Sequence, residues 1–564
     1  MRPFVKNPVS VPASLAAALF SVCAVPSALA VDVGAYAYAA HPVPMLTVNG
    51  RSDNAYLYPG QPLTVHIGLD TGAKLGQPAD WWLLSTDGST ISYYDVAAGW
   101  RAGMQPSLQG PLASFAGLPV FNTPLQSGQY GFYFGVDTPA DGGFNPSLRY
   151  AGVTVSIPST GNRVLYVSPS GDNANPGSQA QPWGTIKYAA DNAQAGDIVW
   201  VRGGTYKEQL APAHSGTPTQ PIVFAAFPGE TVTLEAQGLN LEKYVIQNTP
   251  FDGVIHINER SNVWIVGFKV QHSANIGIMV YNSDNILIQD NSTYDTCSSG
   301  IAAWRSRYVI IDGNEVNLAN TRCGQENISI GEDMQHFEIR YNNVHHSGSN
   351  RGANGIDIKD GSSNGKVHHN IFHSTEKPCV YIDGWDKLIE NIDFYQNIIH
   401  DCKYGMHIAS EQGGTVRNVR IYNNLFYQNE IFSLDIGSGY HTLTENVEII
   451  NNTFYTSGFP KAAAIVINNR KAKNVLIRNN LLAVEKIQIS VPATTATVQI
   501  DHNLFVKAQG TYNSEKNGTD FVLGDPLFVN PSAGDFRIQA GSPAIGIGSA
   551  DSAPAVDLTG LPRL

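Results

Sequence analysis

Asn391-Ile-Asp-Phe-Tyr, Asn418-Val-Arg-Ile-Tyr, Asn446-Val-Glu-Ile-Ile and Asn474-Val-Leu-Ile-Arg are four versions of one short segment, set 27, 28 and 28 residues apart. Along each, apolar and polar residues alternate, the period of a strand with one buried face; a helical solenoid would need apolar spacings of three and four. A further asparagine follows each copy, in a longer series at Asn291, Asn314, Asn343, Asn370, Asn397, Asn424, Asn452, Asn480 and Asn503. If each repeat is one coil, equivalent residues stack about 4.8 Å apart, the distance between neighbouring strands. Asparagine amides at that spacing can hydrogen-bond up a ladder. A strand-built repeat of this length predicts an all-β fold dominated by a right-handed parallel β-helix.

Working outward, the solenoid should occupy residues 164–564. Its opening reads as strand (Leu165-Tyr-Val), short helix (Thr185 to Ala193) and strand (Asp197-Ile-Val-Trp-Val), a cap over the first coil. Asp525-Pro-Leu-Phe, Gly534-Asp-Phe-Arg-Ile and Gly541-Ser-Pro-Ala-Ile form a covering segment at the other end. Before the solenoid lies a polar linker, 158–163. Residues 31–157 hold short strands between Gly, Pro and Asp turns and read as a small β-sandwich, either a packing module or a glycan-binding one.

Residues 1–30 read as an export signal: Arg2 and Lys6, an apolar run from Ser14 to Val25, then Ala28-Leu-Ala30. The mature chain is therefore expected to be secreted, periplasmic or extracellular. It keeps 33 basic against 47 acidic residues, a net of −14, which argues against nucleic acid or an anionic membrane as partner. A monomer is expected. Of five cysteines, Cys23 leaves with the signal. Cys297 with Cys323, and Cys379 with Cys402, fall one coil apart, so each pair can staple adjacent coils by a disulfide.

Stacking the repeats also locates chemistry. Ile328-Ser-Ile-Gly, Ile356-Asp-Ile-Lys, Val380-Tyr-Ile-Asp, Met406-His-Ile-Ala and Leu434-Asp-Ile-Gly come into phase with their apolar members inward. The outward members form two columns: Ser329, Asp357, Tyr381, His407, Asp435, and Gly331, Lys359, Asp383, Ala409, Gly437. Glu411 and Trp385 lie just past the strand ends. Stacked carboxylates repel, so this cluster is a candidate active site. Lys359, His407, Tyr381, Asp383 and Glu411 are the candidate catalytic groups, with Asp357, Trp385 and Asp435 contacting substrate. A salt-bridged surface is the plainer alternative. A third column, Tyr294, His346, His373, His400, Tyr427 and Tyr455, reads as an aromatic stack rather than a metal site.

At Asn354-Gly-Ile-Asp-Ile-Lys and Ile382-Asp-Gly-Trp-Asp386 the sequence resembles the pectate-lyase β-helix superfamily, and in particular the family-nine polysaccharide lyases. The resemblance implies a polysaccharide substrate and a calcium ion held at Asn354, Asp383 and Asp386, with Asn354 and Ile382 standing where the family has aspartates. His407, in Gly405-Met-His, stands where the family has its catalytic lysine. Alginate and chondroitin lyases of this fold are similar more loosely, through a lysine on a strand like Ile356-Asp-Ile-Lys359. The reaction implied is β-elimination: Lys359 or His407 takes the C5 proton of a uronate, Tyr381 protonates the leaving oxygen, and calcium clamps the carboxylate. Two alternatives stand beside it. A glycoside hydrolase would use Asp383 and Glu411 as paired carboxylates; a non-catalytic, adhesin-like solenoid would lack clustered ionisable residues on its outward columns.

Overall fold

The computed structural model describes residues 31–159, 161, 163–239, 244–246, 249–348, 353–437, 443–491, 496–507, 510, 514–560 and 563. The expected export signal at 1–30, and residues 160 and 162 of the expected linker, lie outside these. No described helix is long and apolar enough to cross a membrane.

The chain divides into two compact units. In the first, Val43–Val48, Thr64–Asp70 and Phe115–Asn122 make a three-stranded sheet, and a seven-stranded sheet centres on Pro78–Thr86, Gly128–Asp137 and Arg149–Ile157. Alternate residues, among them Leu46, Val65, Ile67, Leu83, Phe132, Phe134, Val153 and Val155, bury between the sheets as a sandwich core.

The second unit is a parallel β-solenoid with three faces. Among the described residues two faces carry thirteen strands each, from Val164–Val167 to Val498–Asp501 and from Gly204–Tyr206 to Val522–Leu523. The third carries ten, from Gly253–Asn258 to Ile487–Ser490. A helix at Ile186–Asn192 starts on Thr185, whose side chain accepts a hydrogen bond from Tyr188 N, and turns Ile186, Ala189 and Ala190 onto the open end of the core. Residues 31–38, assigned above to the sandwich, belong instead to the solenoid. Val33 packs against Leu481, Leu504, Ile538 and Ala544, and Val33 N donates to Ala544 O at 3.0 Å. Ala35 N donates to Thr453 Oγ1, and Arg563 donates to the carbonyls of Asp32, Gly34 and Ala35.

The asparagine ladder runs through the solenoid. Asn397, for example, donates from Nδ2 to Asn424 Oδ1 at 3.0 Å and to the carbonyls of Val367 and Tyr395, while its own Oδ1 accepts from Asn370 N and Nδ2. One rung differs from expectation. The ladder member between Asn314 and Asn370 is Asn342, whose Oδ1 accepts from Asn314 N at 2.9 Å; Asn343 pairs with Glu315 and Ile371 on a strand. The residue before each rung turns through a left-handed conformation, and Tyr341 does so at φ 54°, which places Asn342 inward. The same shift puts His345, not His346, in the ring column. His345, His373, His400 and Tyr427 stack in parallel at centroid distances of 4.7, 4.9 and 4.7 Å.

On the third face, five adjacent strands carry the chemistry-bearing columns: β1 (Ile328–Gly331), β2 (Ile356–Lys359), β3 (Pro378–Asp383), β4 (Tyr404–Ala409) and β5 (Phe432–Ile436). Their register is the expected one: Ser329, Asp357, Tyr381, His407 and Asp435 align, as do Lys359, Asp383 and Ala409. Ile356, Ile358, Val380, Ile382, Met406 and Ile408 are wholly buried in the core. Both disulfides are formed, with Cα atoms 5.1 Å apart for Cys297–Cys323 and 5.9 Å for Cys379–Cys402.

Candidate active site

Alternation on β2, β3 and β4 leaves Asp357, Lys359, Tyr381, Asp383 and His407 no direction but outward. They open into one groove of about 810 Å³, which Asn354, Trp385 and Glu411 also line. Outward positions on a solenoid strand are expected to face solvent. Here they do not: Asp357 is 3% exposed and Asp383 6%. The groove is deepened by a wall that periodicity does not reveal, the turn carrying Arg322, Cys323, Gly324, Gln325 and Glu326, and Lys377, just before β3, lines it as well.

Glu326 decides the state of Lys359. The ammonium lies 2.9 and 3.1 Å from the Glu326 carboxylate oxygens and donates to Gln325 Oε1 at 2.9 Å. Burial alone would lower the lysine's pKa, but Glu326 and Asp357 outweigh it and hold the ammonium above its ordinary range. Such a group is a fixed positive charge, ill suited to accept a proton.

The carboxylates beside it are pushed the other way. Asp383 rises to about 6, through burial first and then repulsion from Glu411 and Asp360, although Trp385 N donates to its Oδ1 at 2.8 Å. Burial, and then Glu326, raises Asp357 well above the usual carboxylate range, and its Oδ1 has no hydrogen-bond partner among the described residues. Tyr381 donates to Glu411 Oε1 at 2.9 Å; burial and the charges of Asp383 and Glu411 keep its phenol protonated.

His407 lies beside Tyr381, ring centroids 5.0 Å apart, with Nδ1 2.9 Å from Asp435 Oδ2. Asp435 was expected to contact substrate, but it is 4% exposed, is absent from the groove lining, and sits behind the histidine. Asp386 also departs from expectation. Trp385 turns through φ 43°, after which Asp386 is exposed and outside the lining. Of the residues matched to calcium, only Asn354 and Asp383 reach the groove. Asp357 joins them there, with its Oδ1 buried and without a partner among the described residues, so the oxygens of Asn354, Asp357 and Asp383 are the groups of the groove that could hold a hard cation.

Fold and groove together define a parallel β-helix protein with a groove rich in buried carboxylates. Residues 165–367 match the family described as "Pel9A-like, right handed beta helix region". The Bacillus subtilis (strain 168) protein titled "Uncharacterized protein YwoF" is 26% identical over 443 residues, which cover 67% of this chain and 92% of that one. Pectate lyase PEL9 of Emericella nidulans is 32% identical over 107 residues, 17% of this chain and 24% of that protein. The crystal structure of pectate lyase Pel9A superimposes with a TM-score of 0.44 at 13% identity, covering 71% of this chain and 94% of that one.

Proposed function

We propose that this protein is a secreted polysaccharide lyase that cleaves a uronic-acid-containing glycan by β-elimination. The observation that carries the reading is the side-by-side placement of His407 and Tyr381 above a groove with a fixed cation at Lys359. His407 takes the proton from C5. The electron pair moves into the C4–C5 double bond as the C4–O bond breaks, and the Tyr381 hydroxyl protonates the departing oxygen, with Glu411 orienting the phenol. Lys359, assigned above as a possible base, serves instead to neutralise the uronate carboxylate, which makes the C5 proton more acidic. Trp385 offers an apolar face to a sugar ring. Calcium, when bound by Asn354, Asp357 and Asp383, would add to that neutralisation. Two intercoil disulfides support export to an oxidising compartment, and pectate lyase PEL9 is among the relatives.

A hydrolase reading rests on Asp383, whose pKa near 6 beside Glu411 suits an acid with a carboxylate partner. One experiment separates the two: the protein is incubated with a panel of uronate and neutral glycans, and new unsaturated ends are read by ultraviolet absorbance alongside reducing ends. Both signals together are expected. Reducing ends alone would establish the hydrolase, and binding without either signal the non-catalytic solenoid.

A further inference from the structure

The column of outward residues through Asp357 extends beyond the groove in both directions. Register carries it back through Ser329 and Ala302 to Met279, and on past His407 through Asp435 to Val466. Alternation points all of them away from the core, but they do not meet solvent alike. Met279, Ala302 and Ser329 are wholly buried. Trp304, registered with Gly331, is 3% exposed and donates from Nε1 to Ser329 Oγ at 3.1 Å. On the earlier coils this face is therefore covered and closed to a ligand. On the later coils exposure returns: past the buried Asp435, Val466 is half-buried and Asn468 exposed. Beside His407 the rings of Tyr404 and Phe432 are half-buried, their centroids 4.9 Å apart.

The boundary falls at Lys359. Its stem crosses Gly331, where a Cβ would stand 3.2 Å from Lys359 Cγ and 3.6 Å from Trp304 Cδ1. Its ammonium reaches Gln325 and Glu326 on the turn before β1, so strand, lysine and turn meet where the covered face begins. Cys297–Cys323 ties that turn to the preceding coil. We infer that this end of the groove is blind, and that the protein takes a polysaccharide by a chain end rather than along its length. One coil, about 4.8 Å, separates the strand of Tyr381 from that of Lys359, space for little more than one sugar ring before the wall. The direction of the chain rests on the lyase reading; the blind end does not. In β-elimination the sugar that loses its C5 proton lies on the reducing-end side of the broken bond, and Lys359 neutralises the carboxylate of that sugar. The reducing end therefore abuts Gln325 and Glu326, and the rest of the chain leaves past Tyr404 and Phe432. Each turnover should release a short reducing-end piece that carries the new double bond and leave the long piece saturated.

The test uses the full-length protein on homo-oligomers of six 1,4-linked uronates, in oxygen-18 water, with products weighed by mass spectrometry from the earliest time points. A short unsaturated fragment beside a long saturated one is expected, and the viscosity of the parent polymer should fall little while absorbance rises. Fragments of every length from the start, or a short saturated fragment beside a long unsaturated one, would overturn the wall and leave the lyase standing. A long fragment marked with oxygen-18 at its new reducing end, beside a short unmarked one and with no unsaturation, would keep the wall and overturn the lyase. A protein that cleaves none of the oligomers would overturn both. Gln325→Gly trims the wall at a backbone φ of 100°, which suits glycine, so the variant should melt within a few degrees of the native protein. Its released fragment should lengthen by one sugar. An unchanged fragment from the folded variant would overturn the assignment of this turn as the end of the groove.

Discussion

Replacing Lys359 by alanine should destabilise the protein as well as inactivate it. The lysine side chain is 16% exposed and Glu326 6%, and the two meet at 2.9 and 3.1 Å. The pair is nearly buried, and removing one member strands the other's charge, which costs about 3–5 kcal/mol. Near the melting temperature a solenoid of roughly 400 residues has an unfolding entropy of about 0.8 kcal/mol/K, so the loss corresponds to a Tm drop of about 4–6 °C. The double variant Lys359→Met/Glu326→Gln removes both charges and should recover most of that drop while remaining inactive. Glu326→Gln alone should fall between, since Gln325 still accepts from the ammonium. Differential scanning calorimetry at pH 7 on the four proteins measures all of this. A Lys359→Ala protein melting within 1 °C of the native one, or a double variant no more stable than the single, would refute the view that Glu326 and Lys359 are a buried pair.

The scaffold makes its own demands. Asn397→Ala removes three donated and two accepted hydrogen bonds from a fully buried rung, and at about 1–3 kcal/mol per stranded group the cost should exceed about 3 kcal/mol in urea unfolding. Burial, followed by repulsion from His400, His345 and His346, depresses His373 to about 4 from 6.5. The folded state therefore binds fewer protons than the unfolded one, and the contribution is complete above pH 6.5 and lost as pH falls towards 4. Because the ring is partly exposed, the loss should be on the order of 1–2 kcal/mol, and His373→Phe should flatten that part of a plot of stability against pH. Reducing the disulfides, whose cysteines are 26 and 23 residues apart, should cost about 3.5 kcal/mol each by loop entropy, and a non-reducing peptide map should show only Cys297–Cys323 and Cys379–Cys402.

The solenoid is legible in the sequence because its signal is periodic. Once Ile356, Val380 and Met406 are placed inward, the partners of Asp357, Tyr381 and His407 are determined. Where two candidates stand side by side the period cannot choose, and Asn343 fits it almost as well as Asn342. Only the left-handed turn at Tyr341 settles which one enters the ladder. Exposure is the harder quantity. Asp357 points away from the core, yet it is buried, because Gln325 and Glu326 arrive on a turn that shares no period with the strands. Cys323 is the available hint: a cysteine paired one coil back fixes its neighbours against the sheet. Asp386 fails for the converse reason, since the turn at Trp385 carries the chain out of the groove before it arrives.

The two disulfides reach close to the groove. Cys323 lies two residues before Gln325 and three before Glu326, and Cys379 two before Tyr381. Strands β2, β3 and β4 are held on both sides by neighbouring coils, so the groups they carry need no further restraint. The wall is held by scattered contacts rather than by a strand: Cys323 N donates to Cys297 O at 2.8 Å, Ser298 Oγ to Gly324 O at 3.0 Å and Ala353 N to Gln325 O at 3.0 Å, and Gln325 sits at φ 100°, a conformation a non-glycine residue keeps only when its surroundings impose it. Cys297–Cys323 makes that turn a strut and holds Glu326 within reach of Lys359. The fixed charge in the groove then depends on a covalent bond one coil away. Reducing that bond should disturb Lys359 before it disturbs the asparagine ladder, because the ladder's hydrogen bonds lie in the core while the ion pair's partner is borne on the turn.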